Sequence, residues 1–299
     1  MKLITGLMLL LLCGSCLTVS TEQRRMVLQF AKHAENFSAY PEKIVSELAD
    51  IRESRGLYYA SSNTDAGTHL KELEAILKER ERDDKMSARA TTAFKLFDRY
   101  ASGVVQLSSD LPYRSRSALF TRFGTELDTL VVKYNLITET QSLPPGIGIL
   151  LSSILDEGTK WYLTGRQYKL LRKYVVSADT LVSSVCGEME RWLNSDTLLQ
   201  LIQNEETGVQ ESFSFYFTKR SSPPLESDKT YLDLRRRVER LDVVRLQSVR
   251  AVRSLATAHH KLSEALSRKR TIKETLDELN SFYWETERLR SLFGSRSKL

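Results

Sequence analysis

The sequence predicts an all-α protein: an elongated bundle of about six to eight amphipathic helices, including two long ones near 146–206 and 228–267. Three observations carry that expectation. The 299 residues include only 6 Pro and 13 Gly, too few breakers for the many tight turns of a sheet-rich fold. A hydrophobic fraction of 41% can fill a sizeable core. Apolar residues recur at three- and four-residue steps along most of the chain, the spacing that lines one face of a helix.

Ser20-Thr21-Glu22-Gln23 has the spacing of a capping box, and Met26, Leu28 and Phe30 to Phe37 give a first helix that ends before Pro41. Pro41 starts a second helix, in which Ile44, Leu48, Ile51 and Tyr58 share a face, and Ser61-Ser62-Asn63 closes it. Leu70, Leu73 and Leu77 suggest a short third helix, and the mixed charges of Lys78 to Lys85 read as its end and an exposed connector. Phe94, Phe97, Ala101 and Val104 form one stripe and Phe120, Phe123, Leu127, Leu130 and Tyr134 another. With Leu111-Pro112 between them, these two stripes read as an αα-hairpin.

Pro144-Pro145 closes the N-terminal region, and Gly146 opens the longest periodic segment: Leu150, Ile154, Gly158, Trp161, Gly165, Tyr168, Leu171, Val175, Ala178, Leu181, Val185, Met189 and Trp192. Phe213, Phe215 and Phe217 then alternate as in a strand, so 209–217 reads as a break capped by aromatics, and as a possible membrane-contacting tip. After Ser221 to Pro224, a coiled-coil-like stripe runs through Leu234, Val238, Leu241, Val244, Val249, Val252, Leu255, His259, Leu262 and Leu266. Thr271-Ile272-Lys273-Glu274 opens a last helix with Leu276, Leu279, Phe282, Leu289 and Phe293. The expected organisation is a signal peptide at 1–15, an N-terminal helical region at 16–143 and a long-helix region at 144–299, the last two packed as one helical domain.

Lys2 supplies a positive start, Leu3 to Leu12 an apolar core, and small residues follow, the layout of a signal peptide. The apolar stretch is about half the roughly 20 residues a membrane span needs. The run Leu12-Cys13-Gly14-Ser15-Cys16 resembles the lipobox of bacterial lipoproteins, with Cys13 standing where that family prefers an aliphatic residue. The resemblance covers only the signal region. It implies that Cys16 becomes the first mature residue and carries lipid, palmitate included, and that Leu17 directs the protein to the outer membrane. A secretory signal cut near Thr18-Val19-Ser20 is the competing reading, and cleavage before Cys16 would leave it able to bridge Cys186. Cys186 sits beside Val182, Val185 and Met189 on a helical stripe, which marks a buried thiol rather than a nucleophile. The sequon Asn36-Phe37-Ser38 is a single chance-level match.

The net charge is +6, and residues 228–270 hold twelve Lys or Arg against five Asp or Glu. An exported protein meets anionic lipid or envelope polymer rather than nucleic acid, so Arg235, Arg236, Arg237 and Arg240 are candidate contacts for an anionic partner. His33, His69, His259 and His260 are too scattered for a metal site, and neither His-Glu-x-x-His nor Cys-x-x-Cys occurs. There is no P-loop, dinucleotide fingerprint or nucleophile elbow, and Asp83-Asp84 and Glu205-Glu206 read as solvated pairs. No catalytic residue, metal or cofactor is expected. The functional expectation is a non-enzymatic, lipid-anchored envelope protein that binds through helix faces, with membrane activity through 213–217 as the alternative. An enzyme with a site near His259 is the remote third.

Overall fold

The computed structural model describes residues 21–38, 40–108, 117–138, 143, 146, 148–151, 153–154, 164–268 and 272–294. Among them every extended element is a helix: α1 Thr21–Ser38, α2 Pro41–Ser61, α3 Ala66–Ser108, α4 Ser117–Thr138, α5 Thr164–Ser177, α6 Asp179–Leu193, α7 Asp196–Thr218, α8 Leu225–Arg268 and α9 Ile272–Gly294. The all-α expectation holds, and α8 is the long helix foreseen near 228–267. Cys13, Cys16, Leu17, Ser20, Leu111-Pro112, Pro144-Pro145, Gly158, Trp161 and Thr271 lie outside the described residues.

Three elements differ from expectation. The charge run Lys78 to Lys85 is the middle of α3, whose 43 residues make it the second long helix. Its charges are spaced to support a helix rather than end one: Arg80 pairs with Asp84 and Lys85 with Glu81 at i,i+4, and Arg82 with Glu79 at i,i+3. Leu70 and Leu77, two of the leucines that suggest the short third helix, are exposed. The periodic segment near 146–206 is not one helix, because α5, α6 and α7 are separate, broken at Ala178 and at Asn194-Ser195. At the second break the Ser195 hydroxyl accepts from the Leu198 backbone N–H and starts α7. The 213–217 segment is the last turn and a half of α7, not a strand-like break. Its buried residues Leu198, Ile202, Glu205, Val209, Phe213 and Tyr216 follow helical steps, and the phenylalanine alternation is incidental to an end that is aromatic on several sides.

The chain divides into two compact units. The first takes Met1–Asn36, Leu96–Ser184 and Leu255–Phe282, the second Phe37–Lys95, Val185–Ser254 and Tyr283–Leu299, so each draws on both the 16–143 and 144–299 regions. In the first, the buried Phe30 meets Phe97 edge-on at 6.4 Å and Phe282 at 6.1 Å. The α3–α4 hairpin is joined by Arg99 and Glu126 at 3.5 Å. Asp128 on α4 accepts from the Gly148 and Ile149 backbone N–H groups at 2.6 and 2.8 Å, capping the helical turn 148–151. A Cβ at Gly148 would lie 2.3 Å from the Gly124 carbonyl oxygen, so only glycine permits that approach.

In the second unit α2 packs on α7, and Tyr58, Phe213, Tyr216, Phe217 and Tyr231 form a connected aromatic cluster with ring centroids 4.4 to 6.4 Å apart. Arg245 on α8 is buried, pairs with Asp242, and donates to the Leu193 carbonyl and the Asn194 side chain. It thereby satisfies the Leu193 carbonyl, which the end of α6 leaves open. No helix among the described residues is long and apolar enough to cross a membrane.

Candidate functional site

The first unit contains a buried polar chain. The apolar stripe of α8 places His259 in the core, and its ring is fully enclosed, 5.3 Å from the Phe30 and Tyr100 ring centroids. His259 Nδ1 lies 2.9 Å from Asp179 Oδ1 and Nε2 lies 2.6 Å from the Tyr100 hydroxyl. With the imidazole neutral, Nδ1–H donates to the carboxylate and Nε2 accepts from the tyrosine. The Tyr174 hydroxyl donates to the Tyr100 carbonyl at 3.4 Å, and the exposed His260 binds the other Asp179 oxygen at 3.0 Å. Burial holds the His259 pKa below its usual value despite the Asp179 carboxylate, and burial pushes Tyr100 and Tyr174 well above theirs. Burial also opposes the charge of Asp179, but hydrogen bonds from both histidines hold its pKa below the ordinary carboxylate range. Asp179 opens α6, where a negative charge also complements the helix dipole. Both His259 nitrogens are engaged, so the chain holds a tautomer and packs a core; the enclosed ring offers no face to a substrate in this structure.

The second unit contains a buried ionic cluster that sequence reasoning missed. Glu205 and Asp83, each read as half of a solvated pair, are buried, at 1% and 3% exposure. Arg52 Nε and Arg55 Nε donate to Glu205 at 2.6 Å each, and Arg52 Nη1 donates to Asp83 at 2.7 Å. Burial works against the Arg52 charge, yet Glu205 and Asp83 hold its pKa above the usual value. At Asp83 the balance reverses: burial raises its pKa more than Arg52 lowers it, and its Oδ2 finds no hydrogen-bond partner among the described residues. Gly208 completes the arrangement, since a Cβ there would lie 2.6 Å from the Arg55 guanidinium carbon. The available signal was the three-residue spacing of Arg52 and Arg55, which puts two cations on one face of α2.

Of the residues singled out from the sequence, Cys16 lies outside the described residues. Cys186 is a free, buried thiol whose pKa burial raises, as its stripe suggested. Phe213 is buried in the aromatic cluster, and Phe215 and Phe217 are half-buried. Two of the four arginines are ion-paired. Arg235 binds Glu206, and Arg237 binds Glu47 at 2.6 Å with Asp50 and Asp233 nearby. Arg236 and Arg240 have no ion pair among the described residues, and Arg240 lines a small hollow with Glu47, Leu292 and Phe293.

α8 also has an outer face within the second unit. Leu232, Arg236, Glu239, Val243, Leu246 and Arg250 are all exposed and alternate in steps of four and three. This stripe escaped the sequence reading because the stronger inner stripe, with Leu234, Val238, Leu241 and Val244 buried, dominates the periodicity. Compared with known proteins, the chain matches no family model, no curated protein and no solved structure.

Proposed function

We propose that the protein is an exported, lipid-anchored envelope protein that works by binding rather than catalysis, through the outer face of α8. The observation that carries this reading is the stripe itself: Leu232, Val243 and Leu246 are 50%, 51% and 44% exposed and interleave with Arg236 and Arg250 on a long helix. Apolar and cationic side chains at coiled-coil spacing suit a macromolecular surface rather than a small molecule. The anchoring half rests on the lipobox-like run ending at Cys16. In the interior, Arg52 and Arg55 pair with Glu205, and His259 bridges Tyr100 and Asp179.

Two experiments test the two halves separately. Intact mass and membrane fractionation of the native chain beside Cys16→Ser should show acyl mass on a chain starting at Cys16, lost together with membrane association in the variant; an unmodified chain starting near Thr21 refutes anchoring. A photo-crosslinking residue at Val243 should give a discrete adduct in cells, absent when it is placed at exposed Glu81 on α3; no adduct at Val243 together with no binding of anionic vesicles refutes the binding face.

A further inference from the structure

We propose that the occupant of the α8 outer face is a second copy of this chain, bound antiparallel. The inference rests on the binding-face reading and names its partner. From Leu232 to Arg253, about 30 Å of helix at about 1.5 Å per residue, the outer residues are Leu232, Arg236, Glu239, Val243, Leu246, Arg250 and Arg253. Alternating steps of four and three are those of the a and d positions of a coiled coil.

The stripe is complementary to itself in one direction only. Placed parallel and in register, a second copy sets Arg236, Glu239 and Arg250 each against its own like charge. Placed antiparallel, with the two-fold axis passing between Val244 and Arg245, it sets Val243 against Leu246 of the second copy and Glu239 against Arg250 of the second copy. Symmetry repeats both contacts. The centre becomes an apolar quartet, closed at each end by an opposite-charge pair. Beyond them Arg236 faces Arg253 of the second copy, whose guanidinium is held by Glu190 at 2.5 Å, which screens the repulsion.

Further apolar surface lies alongside. Gln247, one turn from Val243, donates to Glu285 on α9 at 2.6 Å, and the neighbouring Trp284 is 59% exposed. An anionic bilayer is the poorer match, because Glu239 stands in the middle of the stripe and would face like charge.

Sedimentation equilibrium of the purified full chain in mild detergent tests the proposal. The wild type should approach twice the mass of its mature chain, apart from bound detergent. Glu239→Arg and Arg250→Glu should each weaken the dimer by at least about tenfold, since symmetry makes each swap twice, and the double swap should restore it to within about threefold. Arg236→Glu, which gains Arg253 of the second copy as a partner, should tighten it, a change that misfolding cannot imitate. A monomer at every concentration overturns the proposal, as does a dimer that ignores the charge swaps. A monomer that binds anionic vesicles through Arg236 and Arg250 overturns self-pairing and leaves the binding face standing. A monomer that binds no vesicles and gives no Val243 adduct overturns both.

Discussion

At His259 the chain keeps an imidazole neutral by enclosing it between Phe30 and Tyr100, and the sign of the pH effect follows. Its pKa is lowered by burial in the folded state, whereas in the unfolded chain it titrates at about 6.5. Below about pH 6.5 the unfolded state takes up a proton that the folded state refuses, so the stability contributed by a neutral His259 is present above that pH and lost as pH falls through it. Asp179, also lowered, adds a loss at more acid pH. Urea titrations between pH 7.5 and 5 should show stability falling with pH, and His259→Phe should flatten the slope; an unchanged slope would place the titration elsewhere. Glu205 is a sharper case, because its removal takes the carboxylate from Arg55 and leaves Arg52 with Asp83 alone at hydrogen-bond distance in a largely buried site. Glu205→Ala should cost about 3 to 5 kcal/mol of unfolding free energy, read from the urea midpoint, whereas Glu206→Ala, at an exposed position, should cost under about 1 kcal/mol.

Among the elements, α3 and α7 are where sequence and structure part. The run Lys78 to Lys85 has the composition of a connector and the pairing of a helix, and the pairing wins because no Gly or Pro interrupts it. Proline in place of the exposed Glu81, which a connector tolerates, should cost at least about 3 kcal/mol and reduce the far-ultraviolet helical signal. At the end of α7 the three phenylalanines should separate by burial. Phe213→Ala should cost about 3 to 5 kcal/mol, while Phe215→Ser, at the half-buried position beside Tyr59, should cost far less. Equal costs at the two positions would contradict the helical placement. α8 carries two stripes, an inner one that builds the core and an outer one that faces solvent.

For the whole molecule, part of the basic character of 228–270 is paired: Arg235, Arg237, Arg245 and Arg253 are held by Glu206, Glu47, Asp242 and Glu190, while Arg236 and Arg250 stand on the outer face of α8. The helices themselves were legible in the sequence, because helical periodicity is a local property written in the order of apolar residues; the ends of α2 and the course of α8 were read from it directly. What the tertiary structure alone decided is which polar groups are buried. Glu205 and Asp83 have the sequence context of solvated carboxylates, and only the packing of α2 and α7, with Gly208 leaving room for Arg55, encloses them. Likewise the inner stripe of α8 could be read from its leucines and valines, but the outer stripe became visible only once the inner residues had been covered. Burial depends on neighbours distant in the chain, and residue order does not record them.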